Sequence, residues 1–239
     1  MEQKEELSSN VKARIDSISR SGHLQDAYNR IINGLLYAYS MGVAGDIAEF
    51  GTWTGRSSMV IAETVALLNK KLGGHLGTGK RRVFYFDSFQ GLPEITAEED
   101  FKSAHVEHGV WKKGRMTFLG AEGLRKAVNS YIDESDFEIV PGFFKDTLSN
   151  VAGKVKFGFI HCDVDLYSST IDALAPLFEH KAINPGCIIL FDDWNCSKAD
   201  PSAGQRKAWS DLCKQFNIQF SDEGAYSYHG RAVIVHEYE

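Results

Sequence analysis

The amino-acid sequence predicts an α/β fold: a mostly parallel sheet covered by helices on both faces, with an antiparallel edge. Three observations predict it. Short apolar runs alternate with stretches of helical spacing along most of the chain, the signature of successive strand–helix units. Runs such as "KVKFGFIHCD" and "GCIILFDDW" have apolar centres, as strands buried on both faces do. The tail carries two further runs, "IQFSDE" and "GRAVIVHE", close enough for a hairpin.

Taken in order, the first twenty or so residues are charged and Ser-rich, an arm or short helix. From Leu24 to Met41 the apolar positions Leu24, Ala27, Ile31, Leu35 and Ala38 recur at three- to four-residue spacing, an amphipathic stripe that Gly42 and Gly45 end. Residues 1–42 therefore read as an N-terminal helical arm. Ile47 to Phe50 is a strand and Ser57 to Leu72 a helix. After the Gly-rich loop "GGHLGTGK" comes the strand "RRVFYFD". Leu119 to Tyr131 has helical spacing and "FEIVPG" is a short strand. The strand "KVKFGFIHCD" leads into a helix from Ser168 to His180, and "GCIILFDDW" leads into one from Ala203 to Phe216. The stretch 91–118 fits neither period. A connection of that length is commonly functional, and with Trp111, His105 and His108 in it it reads as a lid insertion.

The 239 residues suffice for one large domain with a substantial core. Hydrophobic residues at 43% and charged residues at 24% are the balance of a soluble globular protein. A net charge of −6 argues against a nucleic-acid partner. No apolar stretch is long enough to span a membrane, and the polar start "MEQKEELSSN" is unlike a secretory signal. The four cysteines are far apart without a C-x-x-C pair, so they read as free thiols in a reducing cytoplasm.

The chemistry starts at "DIAEFGTWTGRSS", residues 46–58. It is neither G-x-G-x-x-G nor a P-loop, because Arg56-Ser57 stands where the latter needs Lys-Ser/Thr. What remains, Glu49-x-Gly51-x-x-x-Gly55-x-Ser57, is a strand-to-helix turn whose glycines admit a ligand and whose helix start offers N–H groups. A carboxylate beside it disfavours a polyanion and favours an ammonium or hydroxyls, features of S-adenosylmethionine. The next strand ends "VFYFDSFQGLPE", where Asp87 is placed to accept from ribose hydroxyls beyond the carboxyl ends of the strands.

Two later strands end in acids: Asp163 and Asp165 on one, Asp192 and Asp193 on the other. If the strands are neighbours, four carboxylates converge and a cation is needed to offset their repulsion. Oxygen-only ligands favour magnesium, calcium or manganese. His161 reads as a hydrogen-bonded core histidine. His105 and His108 read as substrate contacts or a solvated face, and the "KKGR" run near residue 112 as solvated surface.

These segments resemble the macrocin O-methyltransferase family (the TylF/MycF group of class I S-adenosylmethionine-dependent enzymes). The matching stretches are "GDIAEFGTWTGRSS", "FDSFQGLPE", "PGFFKDTL", "DVDLYSSTIDALAPLF" and "PGCIILFDDW", in order over about residues 45–195. The resemblance implies a Rossmann-like class I methyltransferase sheet, seven-stranded with an antiparallel last strand. It also implies magnesium dependence and methylation of a sugar hydroxyl in a secondary metabolite (antibiotic) or its nucleotide-activated precursor. It places the cofactor at Glu49, Gly51, Thr52, Gly55, Ser57, Asp87, Ser88 and Asp163, and the metal at Asp163, Asp192 and Asp193. The general base is Asp165 or Asp163. Residues 94–118 match no family motif, so the acceptor is not carried over, and self-association stays open. The alternatives are a metal-dependent catechol or phenol methyltransferase and a D-x-D phosphatase of the haloacid dehalogenase type, with Asp163 as nucleophile.

Overall fold

The computed structural model describes residues 22–239; the first part of the expected arm lies outside the described residues. Twelve longer elements follow one another: α1 (Gly22–Ser40), β1 (Asp46–Phe50), α2 (Arg56–Leu72), β2 (Val83–Asp87), α3 (Ala121–Val128), β3 (Phe137–Pro141), β4 (Phe157–Cys162), α4 (Tyr167–Glu179), β5 (Ile183–Phe191), α5 (Gly204–Gln215), β6 (Gln219–Tyr226) and β7 (Gly230–Glu237). The strands form one sheet of order β3-β2-β1-β4-β5-β7-β6. Strands β1 to β5 pair in parallel, and β7 runs antiparallel to both β5 and β6.

Alternation along the strands divides the interior into two cores. Ala48, Phe50, Phe84, Phe86, Ile160, Cys162 and Ile189 pack with α4 and α5 residues such as Leu174, Phe178, Trp209 and Leu212. Ile47, Tyr85, Phe159 and Leu190 pack with Ile31 and Leu35 of α1, Ile61 and Val65 of α2, and Leu124 of α3. All six residues of β4 are buried, which explains its near-continuous apolar reading. The α1 stripe is confirmed: Ala27, Ile31, Leu35 and Ala38 are buried.

Three elements differ from the sequence reading. Helical spacing over 119–131 yields only α3, two turns long, because Tyr131 and its neighbours are exposed and gain nothing from continuing. β5 starts at Ile183 rather than at Gly186; the pairing with β4 shifts register between Phe157 and Phe159, and Gly186 absorbs the irregularity at φ +85°. Single helical turns at Phe144–Thr147 and Ser149–Ala152, too short to show a period, follow β3.

The 91–118 stretch is ordered around a small core of its own. Leu92, Trp111 and Leu166 are buried together, flanked by Ile95, Val106 and Met116. Its ends are tied by Leu92 N–H to Arg115 O (2.8 Å) and Gly114 N–H to Leu92 O (2.9 Å). Its Asp100, 1% exposed, accepts from Tyr167 N–H (2.6 Å), Ser168 N–H (3.3 Å) and Ser168 Oγ (2.7 Å). Helix α4 has no side-chain cap of its own, so Asp100 caps it from a distance.

Candidate active site

The strand order reverses between β1 and β4, the switch point beyond which open α/β sheets hold ligands. There Glu49 pairs in register with His161, so both side chains enter the same face. Glu49 is fully buried: its carboxylate accepts from Ser58 Oγ at 2.5 Å and meets His161 Nδ1 at 3.2 Å. Burial by itself lowers the His161 pKa, but the Glu49 carboxylate, with Asp192 and Asp193 behind it, raises it above the ordinary histidine value. His161 is thus the hydrogen-bonded buried histidine expected, and it also forms part of the cavity wall.

Glu49 itself is not among the cavity-lining residues. Its carboxylate turns toward α2, where Ser58 Oγ donates to it. Gly55 is likewise behind the wall. It starts α2 in a left-handed conformation (φ +73°), and a Cβ there would lie 2.8 Å from Leu119 and 3.2 Å from Leu124. Gly51, Thr52, Ser57, Asp87 and Ser88 do line the cavity. Gly51 has a second duty, since a Cβ on it would fall 1.8 Å from the main-chain oxygen of Asp163. The missing side chain lets β1 and β4 close up at their ends. Asp87 Oδ2 accepts from Thr52 N–H (2.7 Å) and Thr52 Oγ1 (2.9 Å), and Oδ1 from Phe89 N–H (2.7 Å). Ser88 Oγ donates to Gly91 O (2.8 Å). The β2 loop is therefore fastened to the glycine turn.

On the other side of the switch point, β4 and β5 are neighbours, and Asp163, Asp165, Asp192 and Asp193 all line the same cavity. Burial, then the charges of the other acids, push the Asp163 and Asp165 carboxyls well above the usual carboxylate range. Burial and Asp192 push Asp193 up to about 6. The Asp192 and Asp193 carboxylates have partners within the protein. Asp193 Oδ2 accepts from Asp165 N–H (2.8 Å), for which Asp165 adopts φ +63°. Asp192 Oδ1 accepts from Tyr226 Oη (3.3 Å), and its carboxylate stands 3.8 Å from His229 Nδ1. Gln205 links the two strand ends, accepting from Asp193 N–H (2.9 Å) and donating to Cys162 O (3.1 Å). Among the described residues, no three His, Cys, Asp or Glu side chains are disposed to hold a metal ion.

The cavity has a volume of about 680 Å³, the size of a site for a small molecule. The 91–118 stretch supplies part of its wall through Leu92, His105, Val110, Trp111 and Met116. His105 stacks on Trp111 with ring centroids 4.4 Å apart, whereas His108 is exposed and outside the cavity. Sequence reasoning missed Tyr28 and Ile31 of α1, and His229 at the tip of the last hairpin, all of which line the cavity. The apolar stripe of α1 carries Ile31, but nothing local marks which of its turns meets a cavity.

A parallel sheet with an antiparallel seventh strand, covered on both faces and open to a cavity at its switch point, is the architecture of class I methyltransferases. The family model described as macrocin-O-methyltransferase (TylF) matches residues 18–219, and the chain belongs to that family. It is 33% identical over 154 residues to the 8-demethyl-8-(2,3-dimethoxy-α-L-rhamnosyl)-tetracenomycin-C 4′-O-methyltransferase of Streptomyces olivaceus, covering 64% of this chain and 54% of the relative. It is 23% identical to the mycinamicin III 3″-O-methyltransferase of Micromonospora griseorubida, covering 64% and 56%. The chain thus spans about half the length of the curated relatives it matches. The solved structure of the O-methyltransferase NovP shares the fold, with a TM-score of 0.70 at 21% identity over 89% of this chain and 80% of that one. The phosphatase alternative loses its basis, because Asp163-x-Asp165 follows the fourth strand of a methyltransferase fold.

Proposed function

We propose that this protein is an S-adenosylmethionine- and Mg²⁺-dependent O-methyltransferase of a sugar hydroxyl, the sugar borne by a secondary metabolite (antibiotic) or its nucleotide-activated precursor. One observation carries the reading. A glycine turn with Asp87 on the β1–β2 side and four carboxylates on the β4–β5 side open into one cavity. The names of the two relatives, a rhamnosyl-tetracenomycin 4′-O-methyltransferase and a mycinamicin 3″-O-methyltransferase, support the acceptor class.

In this reading Gly51, Thr52, Ser57, Asp87 and Ser88 hold the donor. Glu49 acts from behind the wall by fixing His161. The chemistry of the acidic side fits magnesium: the donors are oxygens, and burial together with mutual repulsion raises three of the four carboxyls, a cost that a divalent cation offsets. Asp163, Asp192 and Asp193 would hold it by turning their side chains onto the ion, since as they stand no three described acids are disposed around one point. A divalent cation there would supply Lewis-acid activation of an acceptor hydroxyl. The remaining work falls to the chain. The acceptor O–C bond forms as the S–C bond breaks, and the proton passes to Asp165 or Asp163. Trp111 and the rest of the 91–118 stretch serve as the lid, keeping water from the site.

The test is to incubate the purified protein with S-adenosylmethionine and Mg²⁺ and a panel of glycosides, nucleotide sugars and catechols. A gain of one methyl by mass on a glycoside or nucleotide sugar, abolished by chelator, is expected. Transfer to catechols alone, or transfer indifferent to chelator, overturns the reading.

A further inference from the structure

The strand ends that carry the acids are held by more than their own ladder. Pairing of β4 with β5 stops at Cys162 and Phe191, one residue short of Asp163 and Asp192. Past that point Asp163 N–H donates to Phe50 O on β1 (2.9 Å) and Asp192 N–H to Cys162 O (3.0 Å). The next amide, that of Asp193, donates to Gln205 Oε1 at 2.9 Å. Gln205 is fully buried near the start of α5, and its Nε2 donates to Cys162 O at 3.1 Å. A main-chain N–H accepts nothing and a carbonyl donates nothing, so the two partners fix which way the amide lies. Among side chains of this length only glutamine supplies a strong acceptor and a donor together. Ionised glutamate has no donor, and methionine has only a weak acceptor.

The next residue of α5 grips the same loop. Arg206 donates through Nε to Trp194 O (3.2 Å) and through Nη2 to Asn195 Oδ1 (2.7 Å), with its guanidinium 5.4 Å from the Trp194 ring centroid. Arg206 holds only the segment that leaves β5, whereas Gln205 reaches across to β4. The Gln205 amide thereby ties the main chain of Asp193 to the carbonyl that precedes Asp163, two acids carried on different strands.

We infer that Gln205 is the positioning residue of the acidic site: it fixes the separation of the β4 and β5 ends, so that Asp163 and Asp193 reach a shared ion by side-chain rotation alone. This rests on the magnesium reading of those acids. Magnesium demands a near-ideal octahedron at short range, whereas calcium takes more oxygens in a looser arrangement. A frame held at one spacing favours the ion with the stricter geometry. Released from that spacing, it loses Mg²⁺ first and keeps more of its hold on Ca²⁺.

The experiment is calorimetric titration of the full chain, with S-adenosylhomocysteine present, by magnesium chloride and separately by calcium chloride. Gln205→Met keeps the bulk of the side chain and removes the clamp. It should lower Mg²⁺ affinity about tenfold, as loss of an outer partner of a metal site does, and Ca²⁺ affinity by about threefold or less. Gln205→Asn, too short to span both strand ends, should move the ratio of the two affinities in the same direction and serves if the Met variant does not fold. Leu212→Ala, a buried change on the same helix, controls for lost stability: it should lower Tm and leave the ratio within about twofold. A ratio unchanged in both Gln205 variants, or shifted as far by Leu212→Ala, overturns the inference while the magnesium reading stands. A parent protein that binds no Mg²⁺ overturns the magnesium reading and the inference with it.

Discussion

Replacing Asp100 tests whether the 91–118 stretch and the acidic loop are one mechanical unit. Its carboxylate is 1% exposed and receives three hydrogen bonds from the start of α4, at 2.6, 3.3 and 2.7 Å. Asp165 lies two residues before the helix those bonds cap. Losing a cap costs about 1 kcal/mol, and hydrogen bonds to a charged group about 1.5–3 kcal/mol each. The sum is not reached, because burial raises the Asp100 pKa despite the bonds from Ser168 and Tyr167. The charge is thus held at a net cost, and Tyr167 and Ser168 are open enough for water to replace part of the loss. Asp100→Ala should destabilise by about 2–3 kcal/mol, a fall in Tm of about 5–10 °C for a chain of this size. Asp100→Asn, which keeps an acceptor, should lose about 1 kcal/mol or less. Urea unfolding gives the stabilities, and limited proteolysis should show new cleavage between residues 93 and 118 in the Ala variant alone. An Ala variant within about 0.5 kcal/mol of the parent and equally resistant between residues 93 and 118 would refute the coupling.

Further outcomes follow from the same geometry. Asp192→Ala should reduce turnover by about 10³-fold or more while S-adenosylmethionine affinity by calorimetry stays nearly intact; retained activity, with and without chelator, removes the metal from the mechanism. Asp87→Ala should weaken S-adenosylmethionine binding by about 10–100-fold, since it also frees the Thr52 and Phe89 amides of the glycine turn. Gly51→Ala should cost more than about 3 kcal/mol in urea unfolding, because the added methyl meets a backbone carbonyl rather than a flexible side chain. The acid cluster sets a pH dependence in chelator-treated protein. Asp193, raised to about 6 in the fold, binds more protons folded than unfolded between the ordinary carboxylate pKa and 6. Its contribution to stability therefore rises as pH falls through that window. Adding Mg²⁺ should raise Tm at pH 7.5 and much less at pH 5, and Asp193→Asn should flatten both effects.

The alternation of apolar runs and helical stripes was enough to read the sheet class, the antiparallel tail and the buried face of α1. Burial leaves a local mark on composition, and Ile31, Leu35 and the β4 run carry it. The same marks placed Asp87, Asp163, Asp165, Asp192 and Asp193 at strand ends, where a parallel sheet gathers its ligand contacts. What each end group touches was not in the local pattern. Glu49 faces Ser58 and His161 because register pairs β1 with β4. Gly51 is glycine because the Asp163 carbonyl stands where its Cβ would be. Asp100 caps a helix 67 residues further on, and His229 reaches Asp192 only because β7 pairs beside β5. Spacing along a chain reports which residues are hidden and where it turns. Which atoms then meet is decided by the packing of segments far apart in sequence, and that belongs to the tertiary structure alone.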